Sequence, residues 1–156
     1  MDPNAIVEVF RRNVTEHYID FQGRVRRTEF WYYILAYVVI YVIAAVLQSV
    51  IGTHILTTLL SLGLLLPNLG IAVRRLHDIG KSGWWVLVAA VPAVLMIVLA
   101  GLAIMTGSIG SMFLTVTLLP LLCVAAAALL IYWYVQPGVT GPNEYGPDPK
   151  GVTAAA

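Results

Sequence analysis

Four stretches of the chain are apolar almost without interruption, and three polar segments hold every Asp, Glu, Lys and Arg. The apolar stretches run from about Phe30 to Ile51, Ile55 to Val73, Trp84 to Thr106 and Met112 to Val135. Each is close to or above the ~20 helical residues that cross a bilayer. None shows the polar–apolar alternation of a barrel strand. Backbone amides in hydrocarbon need partners within their own segment, so the pattern predicts four transmembrane helices. Pro67, Pro92 and Pro120 fall inside the second, third and fourth stretches, where each removes a backbone donor and favours a kink. Ahead of the first span, Ile6, Phe10 and Val14 recur at helical spacing with Val7 beside them, following Asp2 as N-cap and Pro3 in the first turn. That periodicity predicts a short N-terminal amphipathic helix lying on the membrane surface, with Arg11 and Arg12 near the headgroups.

The charges order these helices. Arg11, Arg12, Arg24, Arg26 and Arg27 precede the first span, Arg74, Arg75 and Lys81 lie between the second and third, and Lys150 follows the fourth. The acids occupy the same three segments, whereas the links Gly52–His54 and Gly107–Ser111 carry no Asp, Glu, Lys or Arg. With four crossings the charged segments share one face, and the basic residues orient it to the cytoplasm. The expected architecture is an all-α membrane protein, two hairpins with N-in/C-in topology and an irregular C-terminal tail. It forms a single domain over residues 1–151, with a disordered tail at 152–156. Trp31, Trp84, Trp85 and Trp133 fall where spans begin or end at that face and are expected as interface anchors.

Composition agrees with this reading. The 156 residues are 60% hydrophobic and 11% charged, with a mean hydropathy of +0.86. A small water-soluble domain, which exposes much of its surface, could not carry that balance. The start MDPNAIVEVFRRN lacks the basic opening and apolar core of a secretory signal. One cysteine, Cys123, excludes an intrachain disulfide and a thiolate cluster. No metal, cofactor or nucleic acid is expected.

Three polar motifs carry what chemistry there is. They are FQGRVRRTEFWYY (Phe21–Tyr33), RRLHDIGKSGWW (Arg74–Trp85) and GVTGPNEYGPDPKG (Gly138–Gly151). With four hydrophobic spans between them, they resemble the bacterial inner-membrane family known as domain of unknown function (DUF) 805 over roughly residues 18–151. The resemblance implies a small four-helix inner-membrane protein and no established reaction.

Each motif has a structural and a functional reading. Arg24 and Arg27 are either topological charges or bidentate ligands for a phosphate. Lys81 and Ser82 precede a helix without the glycine-rich loop of a nucleotide site. His77 and Asp78 are the weak catalytic candidates. As neighbours on a helix they point apart, so they do not make a catalytic pair by themselves. The structural reading pairs Asp78 with an arginine of the first motif and bonds His77 to backbone. Asn143, Tyr145 and Asp148 sit among glycines and prolines, in a flexible tail or in a loop clasped under the helices by pairing of Asp148 or Glu144 with Arg74 or Arg75. The spans hold no Asp, Glu, Lys, Arg or His, which disfavours a proton-coupled transporter.

Three functions compete on this basis. A non-enzymatic module would use Arg24, Arg27, Arg74, Arg75, Asp78, Lys81, Asn143, Tyr145 and Asp148 to bind anionic lipid headgroups, a partner protein or a second copy. An interfacial enzyme acting on a phosphate-bearing amphiphile would use His77 or Asp78 as base. A small-solute transporter or channel would need a polar path through Asn68 and Thr57.

Overall fold

The structure is a computed structural model and describes residues 3–52, 55–107 and 109–151, with the side chain of Ser111 left aside. The expectations for Asp2, for the turn at 53–54 and for a disordered 152–156 lie outside these residues. Seven α-helices follow one another among them: α1 (Pro3–Thr15), α2 (Arg27–Ile51), α3 (Ile55–Gly63), α4 (Leu65–Asp78), α5 (Leu87–Thr106), α6 (Ile109–Phe113) and α7 (Leu119–Val135). A 3-10 turn, Gly83–Val86, leads into α5, and a π-helical turn, Leu114–Leu118, leads into α7. Three helical stretches are long and apolar enough to cross a membrane: Arg27–Ile51, Gly83–Thr106 and Leu114–Val135. The bent pair α3–α4 would make a fourth.

The expected second span, Ile55–Val73, is not one straight helix. It breaks at Leu64, and the two halves are bent by 45°. Pro67 explains the break, because its ring clashes with the carbonyl four residues back, at Gly63, and offers it no N–H. That carbonyl instead accepts a hydrogen bond from the Tyr18 hydroxyl at 2.5 Å. The helix also continues past Val73 through Arg74, Arg75, His77 and Asp78, so half of the expected loop is helix. Nothing in RRLHD breaks a helix, and the stop comes at Gly80. With φ +71, Gly80 places the Lys81 amide on the Leu76 carbonyl at 2.9 Å and its own amide on His77 at 3.1 Å, a Schellman cap.

Pro120 acts differently. It stands in the first turn of α7, where its missing N–H costs little. The turn before it widens, with the Leu119 amide reaching the Leu114 carbonyl. Pro92 lies within α5.

The chain divides into two compact units, residues 1–83 with 137–156, and residues 84–136. In the first, α2 and α3 form a hairpin in which Gln48 Oε1 accepts from the Thr57 amide and hydroxyl at 3.2 and 2.9 Å. Tyr33, fully buried on α2, donates to Asn68 Oδ1 of α4 at 2.8 Å. These polar groups, the candidates for a solute path, are spent on bonds between helices.

Helix α1 does not lie free on a surface. It packs antiparallel along α2: Arg12 pairs with Glu29 at 3.2 Å, and Phe10 stacks on Tyr33 at 5.4 Å. Ile6 and Val7 then reach Leu35–Ile40. Asn13, buried on the same helix, bonds to the Val9 carbonyl and accepts from Arg74 at 2.6 Å. A polar residue on the apolar stripe of α1 turns that helix toward α4 rather than outward.

In the second unit α5 packs on α7. Trp85 and Trp133 meet edge to face at 5.2 Å, which puts the start of α5 beside the end of α7.

Candidate functional site: an arginine–carboxylate clasp

The charged end of α4 is the hub of the first unit. Arg74 and Arg75 are consecutive, so their side chains diverge by about 100° around the helix. Arg74 turns to Asn13 of α1, and its carbonyl accepts the Val25 amide at 3.2 Å. Arg75 turns to Asp78 one helical turn on, its Nη1 at 2.5 Å from Oδ2. The segment from Tyr18 to Arg26 runs back across α4, with the Asp20 carbonyl so close to Gly70 that a Cβ there would lie 2.9 Å from it.

This crossing delivers Arg24 to the other oxygen of Asp78. Its Nε donates to Oδ1 at 3.1 Å, and the two side chains are 1% and 5% exposed. The remaining donors of Arg24 reach the tail, bonding to the carbonyls of Val139 and Gly141 at 2.5 and 2.7 Å. One buried carboxylate therefore holds two guanidiniums, and one guanidinium holds the tail. Burying such charges costs several kcal/mol per ion unless every donor and acceptor is paired, and the tail carbonyls complete the pairing of Arg24.

The tail also caps α4. The Val139 amide donates to the Asp78 carbonyl at 2.8 Å, and Asn143 Nδ2 to the His77 carbonyl at 2.9 Å. Gly138 permits this approach, since a Cβ there would lie 2.2 Å from Asp78 Oδ2. The Asn143 side-chain oxygen takes the Tyr145 amide, and the Tyr145 ring lies flat on His77, centroids 3.9 Å apart and planes within 3°. His77 Nδ1 is 3.2 Å from the Gly23 carbonyl. A carbonyl can only accept, so Nδ1 carries the proton. Asp148 closes the loop by accepting from the Gly141 and Lys150 amides, each at 2.9 Å. The bond from the Lys150 amide, and after it the one from Gly141, holds its carboxyl below the usual aspartate range.

The three motifs thus converge. Asp78 pairs with an arginine of the first motif and His77 bonds to backbone, as the structural reading expects. The tail is clasped, but by other atoms than expected: backbone carbonyls on Arg24, with Asp148 turned to its own loop and Arg74 and Arg75 engaged with Asn13 and Asp78. The reason is geometric: Arg74 is turned to Asn13 and Arg75 to Asp78, so the guanidinium that faces the tail is that of Arg24. Arg27 is exposed at the start of α2, and Lys81 is half-buried in the turn after α4. Trp84 and Trp85 are 78% and 45% exposed, Trp31 is half-buried, and Trp133 is buried at 9%. Sequence does not single out Asn13 or Tyr18, and it marks Gly70 and Gly138 only as a small residue for close helix approach and a turn glycine of the tail. Of the first two, only Asn13 carried a signal, as a polar residue on an apolar stripe.

Two open grooves on the described surface are apolar, one along Trp84–Pro92 and one between α1 and α2. Neither is lined by His77 or Asp78. Among the described residues no group of His, Cys, Asp and Glu is arranged to hold a metal ion.

The family model described as protein of unknown function (DUF805) matches residues 18–147, a range that includes Arg24, Asp78 and most of the tail clasp. The chain belongs to the DUF805 family. Two inner membrane proteins of Escherichia coli K12 are similar along most of their length. YhaH is 27% identical, covering 88% of this chain and 93% of that protein. YhaI is 30% identical, covering 88% and 92%. No solved structure matches the chain. In this DUF805 protein the matched range takes in both Arg24 and Asp78 of the clasp. Only α1 and the end of the tail fall outside it.

Proposed function

We propose that the chain is a non-enzymatic, multi-pass module of the bacterial inner membrane, with both termini cytoplasmic, whose basic face binds anionic lipid headgroups. The observation that carries this reading is the bond from Arg26 to the Pro149 carbonyl, 123 positions away. It brings the end of the tail to the start of α2, and the residues next in sequence to the bonded pair, Arg27 and Lys150, are both exposed cations. Arg24, Arg74 and Arg75, buried and bonded, hold this face together rather than meet a ligand. The same engagement weighs against catalysis, because Asp78 is saturated by guanidiniums and His77 is covered by a tyrosine ring.

The test is lipid retention by the purified full-length chain, read by native mass spectrometry from equimolar phosphatidylglycerol and phosphatidylcholine with the same acyl chains. Preferential retention of the anionic lipid is expected, and Arg27→Glu with Lys150→Glu should abolish it. Equal retention of both lipids by the unaltered chain would refute the headgroup reading and leave the face to a protein partner.

A further inference from the structure

The groove between α1 and α2 is lined by none of the clasp residues and carries a different chemistry. Its walls are Ile6, Val7 and Phe10 of α1 and Leu35, Ala36, Val39 and Ile40 of α2, without a polar side chain. Because the helices run antiparallel from the Arg12–Glu29 pair, the α2 wall lies ~9–16 Å along that helix from Glu29, at 1.5 Å per residue. Helix α2 is a candidate membrane span, and Trp31 stands at its polar end. With Trp31 at headgroup level, the groove falls at the depth of the upper acyl chains.

The groove has a charged upper end. Arg11 follows Val7 by four residues and so sits on the same helix face, ~5–6 Å nearer the headgroups. It bonds Glu8 at 3.2 and 2.8 Å and lies 3.8 Å from Glu16. All three side chains are more than half exposed, at 55%, 59% and 55% for Arg11, Glu8 and Glu16. The Arg11 guanidinium holds the Glu8 carboxyl ionised, below its ordinary range. One cation flanked by two carboxylates is a poor site for a purely anionic headgroup. It matches one that bears a phosphate and, two carbons away, an ammonium with N–H donors.

The geometry points to a phospholipid site for an ethanolamine-type lipid, with one acyl chain in the α1–α2 groove, the phosphate on Arg11 and the ammonium on Glu8 and Glu16. Two observations commit the occupant. One wall of the groove belongs to a candidate membrane span, and the charge pattern beside it, Glu8 level with Val7 and Phe10 and Arg11 and Glu16 beyond them, complements a zwitterion with hydrogen-bonding ammonium. A choline headgroup has the same charges but no N–H to donate.

The experiment uses the full-length chain in detergent micelles doped with equimolar phosphatidylethanolamine, phosphatidylcholine and phosphatidylglycerol of identical acyl chains, read by native mass spectrometry. Ethanolamine lipid is expected to be retained over choline lipid by about twofold to fivefold, the worth of one exposed charge-assisted contact. Glu8→Gln with Glu16→Gln should remove that preference and leave the phosphatidylglycerol preference assigned to Arg27 and Lys150 unchanged, so the two sites fail separately. Equal retention of ethanolamine and choline lipids by the unaltered chain would overturn the site, as would a preference indifferent to the two glutamates. A second measurement does not depend on a variant that folds. Ethanolamine lipid with a photoreactive acyl chain should crosslink within residues 6–10 and 35–40, and labelling spread evenly over the spans would overturn the groove.

Discussion

Arg24 and Asp78 stand 54 positions apart in the chain and share a buried ion pair at 3.1 Å, with almost no solvent on either side chain. Arg75 reaches the other carboxylate oxygen of Asp78, so the pair is one arm of a triad. Removing Asp78 strands two guanidiniums, whereas removing Arg24 leaves Asp78 still held by Arg75. Asp78→Ala is therefore expected to cost about 3–5 kcal/mol, the range for leaving buried charge uncompensated, and Arg24→Ala less. Thermal unfolding in detergent would check the order, and a larger loss for Arg24→Ala would contradict the triad.

Gly138 is a second point of failure, through volume rather than charge. A methyl group there would meet all three carboxyl atoms of Asp78 within 2.9 Å. Gly138→Ala should cost about 1–3 kcal/mol, the usual range for overpacking. Gly101, with nothing within 4 Å of its Cβ position, is the control, and Gly101→Ala should do no harm. Melting temperatures of the two variants decide the matter.

Acid should loosen the tail. The bonds from the Lys150 and Gly141 amides depress the Asp148 carboxyl below its unfolded value. A group depressed on folding contributes stability above its unfolded pKa, about 3.9 for aspartate, and loses it as pH falls through the folded value. Hydrogen exchange of residues 138–150 should therefore stay slow above about pH 4 and quicken below it. Asp148→Asn, which cannot titrate, should flatten that step.

Within the spans, Tyr33→Phe deletes the hydroxyl that bonds Asn68 while keeping the ring stacked on Phe10. A single hydrogen bond between helices at membrane depth is worth about 0.6 kcal/mol and at most near 1.7. A loss in that range, measured by unfolding in micelles, fits a bond that joins helices. A much larger loss would mean that the stack had moved.

Much of the helix order follows from composition along the chain. Backbone amides have no partner in hydrocarbon except within a helix, so a run such as Phe30–Ile51 has one solution whatever surrounds it. The same holds for the caps at Gly52 and Gly107, where φ is +74 and +62. The divergence of His77 and Asp78 was legible too, since helix pitch alone sends neighbours to different faces.

What lies at the end of α4 was decided by tertiary structure. Sequence counts nine basic and eight acidic side chains, but charge attraction does not choose partners. Arg24, Arg74 and Arg75 have the same chemistry, yet Arg74 faces Asn13 while the other two face Asp78. Their partners depend on where the segment Tyr18–Arg26 crosses α4 and where the tail returns, and those paths rest on close approaches at Gly70 and Gly138. Helices follow from local bonding, which a sequence displays. Convergence of segments separated by 54 to 117 positions follows from the shape of the surfaces between them, and shape exists only once the chain has folded.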